Sequence, residues 1–104
     1  MTDEDRVACR TPTQGRDGET RIPRWKFDAV REAVLEAVAA AGPEGLPLSA
    51  LTDEVGSRLL EDQRGRLGSL GWHVTTVKLE LEVRGELARL PGTPQRLVVP
   101  GMGT

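Results

Sequence analysis

Few side chains in this sequence could carry covalent chemistry, and their types narrow the choice at once. There is one His, one Cys and no Tyr. No Ser or Thr stands at a spacing that supplies a base and an orienting partner, so no nucleophile system can be assembled and no catalytic residue is assigned. His73 is surrounded by scattered acids rather than by ligands at a recognisable spacing, so neither a metal site nor a cofactor is expected. The chain reads as a non-enzyme that works by contact. Two kinds of contact are available in one short stretch. His73, Thr75, Thr76 and Lys78 can meet phosphates or base edges, with Arg89 and Arg96 further along to hold the backbone of duplex DNA. Leu79 and Val83, one helical turn apart, instead offer aliphatic surface to a protein partner or a second subunit.

These residues must be positioned by the run from Trp72 to Val99. Val74, Val77, Leu81 and the stem of Arg84 recur at three- and four-residue spacing, which predicts a helix, and Gly85 supplies a left-handed stop. The period then changes. Leu87 and Arg89 lead into Pro91-Gly92-Thr93-Pro94, and Gln95 to Val99 can return as a second strand. Upstream, Pro23 opens a first helix whose Phe27, Val30, Val34, Val38 and Ala41 face inward until Gly42-Pro43, with Lys26, Arg31, Glu32 and Glu36 on its solvated side. Leu46-Pro47-Leu48 is a short link suited to be the lone strand that joins the later hairpin. Ser49 is placed to cap a second helix, and Leu51, Val55 and Leu59 form its inner stripe. Gly56 inside that helix implies a close crossing. Glu61 to Gly71 reads as an irregular connection; its glycines follow a helix and lack the Gly-Lys-Ser/Thr ending of a phosphate loop.

Three helices, the last two in helix-turn-helix order, and a terminal hairpin predict an α+β, mainly helical, winged helix-turn-helix domain with a C-terminal β-hairpin wing. Residues 1–21 are expected to be a flexible polar arm, 22–99 the domain and 100–104 a tail. The arm offers little to bury beyond Val7, and Cys9 reads there as an incidental exposed thiol. The single Cys excludes an internal disulfide, no run approaches the ~20 apolar residues of a membrane span, and the acidic start is unlike a signal peptide, so a cytoplasmic location is expected.

Leu81-Glu82-Val83-Arg84-Gly85-Glu86-Leu87-Ala88-Arg89 resembles the segment in which many bacterial winged-helix regulators leave the recognition helix and enter the wing. More closely, the span from about Thr13 to Val99 resembles a small, functionally uncharacterised bacterial winged-helix family. The likeness lies in Gly15-Arg16 with Arg21-Ile22, Phe27 to Arg31, Leu48-Ser49, and above all Gly71 to Glu82. It implies a fold rather than an activity; the wider winged-helix resemblance implies DNA binding and transcription regulation through the third helix and wing.

Charge argues on the other side. Fourteen Lys and Arg against sixteen Asp and Glu leave a net charge of −2, so no whole-protein field draws in nucleic acid. Glu80, Glu82 and Glu86 repel phosphates along the second half of the third helix, whose outward arc holds Thr75, Thr76, Leu79, Glu82 and Val83. The reading favoured on sequence alone is a DNA-binding module, a small regulator acting as a dimer. Its alternative is a protein-interaction or dimerisation module that uses Leu79 and Val83. Trp72 is expected to seal the core beside the first helix. No small-molecule ligand is indicated.

Overall fold

The structure is a computed structural model that describes residues 6–11 and 15–100, with the side chains of 11 and 15–19 outside that description. The first helix is α1, Arg24–Ala41, entered through Pro23 and ended where Gly42 takes φ 76°. Phe27, Val30, Ala33, Val34, Ala37 and Val38 are its buried face, the stripe that the helical period gives. A 3-10 turn, Gly42–Glu44, leads to a two-residue strand and then to α2, Leu48–Arg58. Leu51 and Val55 are fully covered, and Leu59 is buried just past the helix end. Ser49 does not cap α2: the helix begins one residue earlier, behind Pro47, and no side-chain cap bond is made. At Gly56 an added Cβ would stand 3.0 Å from Leu70 Cδ2, so the glycine admits the side chain that opens the last helix.

The expected irregular connection contains a helix, α3, Glu61–Leu67. Gln63 Oε1 accepts from the Leu60 amide at its start, acids occupy its first turn, and Arg64 and Arg66 its last, which is the polarity that suits the helix dipole. The last helix, α4, runs Leu70–Arg84 and is the expected third helix. Ser69 Oγ accepts from the Trp72 amide at one end. At the other end Gly85 is left-handed at φ 80°, and the Gly85 and Glu86 amides donate to the carbonyls of Glu82 and Leu81. Val74, Val77 and Leu81 are buried, as their spacing predicts.

Two small antiparallel sheets complete the α+β fold. With Leu46–Pro47 as β3, Ala88–Leu90 as β4 and Arg96–Val98 as β5, one sheet has the order β3-β5-β4, with Leu46 opposite Leu97 and Arg89 opposite Leu97 on the other side. The short link therefore pairs with the hairpin as expected. The other sheet corrects the expected flexible arm. Over its described residues that segment is a hairpin of β1, Arg6–Thr11, and β2, Gly15–Pro23, packed against α4 and α1; residues 1–5 and 12–14 lie outside the described residues. Strand alternation turns Val7 and Cys9 to one side, Ile22 pairs opposite Val7, and all three join the core. Cys9 is thus not an exposed thiol: it is 2% accessible, and the packed unit begins at Arg6 rather than at residue 22. The tail expected at 100–104 lies outside the described residues beyond Pro100.

Candidate functional site

The surface that the sequence nominated is the side of α4 turned away from α1 and α2. Helical geometry, about 100° per residue, puts His73, Val74, Val77, Lys78, Glu80 and Leu81 on the covered side, and all six are buried. The opposite side carries Trp72, Thr75, Thr76, Leu79 and Val83. Trp72 corrects an expectation. It does not seal the core but stands 47% exposed, its indole packed edge-on against the His73 ring at a centroid distance of 4.8 Å. Trp72, Thr76, Leu79 and Val83 therefore form a continuous stripe along the helix, with Thr76, Leu79 and Val83 half-buried and Thr75 exposed beside them.

Both flanks of that stripe are closed by ion pairs. On the side of the three-stranded sheet, Lys78 Nζ donates to Glu82 Oε2 at 2.6 Å, and Arg89 Nε, from β4, donates to Glu82 Oε1 at 3.0 Å. Lys78 is only 5% accessible. On the hairpin side Glu80, completely covered, accepts from the Arg10 amide at 2.7 Å, from Arg10 Nε and Nη2 at 3.1 and 2.7 Å, and from Arg84 Nε at 2.6 Å. The Arg84 guanidinium also lies over the Phe27 ring at 4.8 Å. Burial alone pushes the Glu80 carboxyl up, but the bonds from the Arg10 and Arg84 side chains and the Arg10 amide outweigh it and hold the group at about 2. Cys9 is pushed up to about 11, first by burial and then by the Glu80 charge.

The nucleic-acid candidates are therefore divided. His73 is buried, and its Nδ1–H donates to the Ser69 carbonyl at 2.7 Å, an assignment forced by an oxygen that can only accept. Lys78 and Arg89 are both held by Glu82. Thr75 and Arg96 are exposed and Thr76 is half-buried, but Arg96 lies on β5, away from the helix that carries the two threonines. Glu80 and Glu82, expected to face and repel phosphates, are neutralised inside the fold. Leu79 and Val83 do lie together on the outer side of α4.

Sequence reasoning missed the Arg10–Glu80–Arg84 cluster, because Arg10 and Glu80 are seventy residues apart. The four-residue spacing of Glu80 with Arg84 and of Lys78 with Glu82 is a visible signal for the other half of each cluster. Trp25 is also occupied: Arg66 lies over its ring at 4.9 Å and Lys26 at 5.8 Å, while Lys26 Nζ donates to the Leu67 carbonyl, which ties α1 to α3. A cleft of about 140 Å³ between the end of α1 and the second sheet is lined by apolar groups such as Val38, Leu90 and Val98, which offer nothing to orient a polar ligand. Among the described residues no three of His, Cys, Asp or Glu gather as metal ligands, and no helix is long and apolar enough to cross a membrane.

The fold is that of a small α+β domain. By sequence the chain belongs to a protein family of unknown function, DUF6958, which it matches over residues 6–97, a span that takes in the hairpin as well as the helices and nearly all of the three-stranded sheet. No curated protein and no solved structure shows significant similarity to it.

Proposed function

We propose that this protein is a winged-helix protein-interaction module that docks an apolar protein face on the outer stripe of α4, and that it does not read DNA. The winged-helix part of this reading is supported by the order α1-β3-α2-α4-β4-β5, interrupted only by the short α3, and by a sheet in which the early strand pairs with the last. The functional part rests on one observation. The cations that a DNA reader would aim at phosphates, Lys78 and Arg89, are both taken by Glu82, while Trp72, Leu79 and Val83 line the face between. Phosphate contacts dominate non-specific DNA affinity, and with Lys78 buried and Arg89 held by Glu82 this face has little with which to make them.

A titration of fluorescent random-sequence duplex DNA at about 50 mM salt tests this, because even non-specific binders associate there. No saturable binding is expected. Binding whose affinity falls with salt at a log–log slope of about −2 or steeper would overturn the reading. The exposure of Thr75 in the early turns of α4, with Arg96 on the wing, favours DNA contact as the second reading. Under that reading Arg96→Ala should lower the slope by about one, and Thr75→Ala should change sequence preference instead.

A further inference from the structure

We infer that Met102 seats in the apolar cleft between the end of α1 and the three-stranded sheet, so that the segment following Pro100 closes the domain over that cleft. The inference does not rest on the protein-interaction reading, since no residue lining the cleft lies on α4. The first argument is lining. Val38 and Ala39 come from the end of α1, Pro43 from the turn after it, and Leu90 and Val98 from β4 and β5; every residue around the cleft is apolar or glycine. Such a surface gains by being covered with apolar atoms and has no side chain with which to hold a polar group.

The second argument is reach. Pro100 is exposed and forms part of the wall, so the chain passes residue 100 at the rim of the cleft. Two residues span at most about 7 Å, which keeps Met102 beside it. The third is composition. Residues 101–104 are Gly-Met-Gly-Thr, with no charged side chain and with Met102 as the one large apolar group. Glycine on either side lets the backbone fold back, and an unbranched thioether chain adapts to an irregular gap. A cavity of about 150 Å³ with aliphatic and aromatic walls holds a benzene molecule. The cleft, at about 140 Å³, has room for a methionine side chain, which has fewer heavy atoms. Met1 does not compete for the place. Residues 1–5 join the fold at Arg6, opposite Pro23 at the start of α1, whereas the cleft lies at the other end of that helix. Its eighteen residues rise by about 27 Å, more than the roughly 18 Å that five extended residues span.

Nuclear magnetic resonance on the full chain tests this directly. There are two methionines, so in methionine-methyl-labelled protein the signal lost in Met102→Leu is that of Met102. In the parent that methyl should show Overhauser contacts to the methyls of Leu90 and Val98. Met102→Ser should lower the melting temperature by about 4 °C or more. Met102→Leu should retain most of the parent's value, and Thr104→Ala, in the same segment, should leave it in place. Absence of the contacts overturns the inference, and so does a Met102→Ser variant that melts like the parent. Contacts found only between labelled and unlabelled chains in a mixture would put Met102 in the cleft of a second copy and overturn its assignment to the same chain.

Discussion

Glu80 shows how one residue can tie distant parts of a chain together. A carboxylate with no solvent access is tolerated only when its oxygens are fully bonded, and here two arginines and one backbone amide do this from two elements. Its pKa lies at about 2 in the fold, against an ordinary 4.5. Because the folded value is the lower one, the unfolded chain takes up the proton first as pH falls. The stabilisation is therefore complete above about pH 5 and lost progressively towards about pH 2, a total of about 3 kcal/mol. Glu80→Gln should flatten the acid limb of a stability–pH curve over that window by up to about 1.4 kcal/mol per pH unit. Urea midpoints measured from pH 2.5 to 6 would show it, and parallel curves for parent and variant would mean that Glu80 is not paired in solution. Glu80→Ala should also destabilise at neutral pH, by about 1–3 kcal/mol, since it removes the bonds to both guanidinium groups and to the Arg10 amide, while the two arginines keep part of their hydration.

Among the elements, α1, α2, α4 and the short C-terminal strands were legible because their signals are local. The 3.6-residue stripe of Phe27, Val30, Val34 and Val38, the stop at Gly85 and the short extended link at Leu46-Pro47 each follow from residues that announce their own geometry. The helix α3 was hidden by Gly65, although its acids at the start and arginines at the end are a local signal that outweighs one glycine. The hairpin was not legible for a different reason. Its inward residues Val7, Cys9 and Ile22 are too few to show a period, and what holds it down is Arg10 reaching a carboxylate near the other end of the chain. The same distance obscured the surface on α4. That Arg89 crosses from β4 to share Glu82 with Lys78 cannot be read from spacing. Cys9 gives the hairpin a reporter. With its thiol buried and held at about 11, reaction with a disulfide reagent at pH 8 should be far slower than for a free thiol, because it waits for the hairpin to lift. Arg10→Ala should accelerate it about tenfold or more while far-UV circular dichroism stays helical. Immediate labelling of the parent would show that the hairpin is not docked.

On the scale of the whole molecule, α4 has to serve two sides at once, and the assignment of those sides decides both stability and function. Its inner side packs on α1, α2 and the hairpin, so that Leu81 has no accessible surface, while Leu79, two residues earlier, belongs to the outer stripe. A domain of this size has about 5–15 kcal/mol of stability in total. An uncompensated carboxylate at Leu81 removes about 3–5 kcal/mol, in addition to the apolar contacts of a lost leucine. Leu81→Asp should therefore abolish or nearly abolish cooperative melting, and Leu81→Met, which keeps the volume, should lower stability by less than about 1.5 kcal/mol. Leu79→Asp is the decisive comparison. The same chemical change made on the outer side should leave the melting transition within a few degrees of the parent and act instead on association, because its carboxylate is solvated in the monomer and is buried only when a second face closes over it. If Leu79→Asp unfolded the domain and Leu81→Asp did not, the two sides of α4 would be reversed, and with them the surface on which the interaction reading depends.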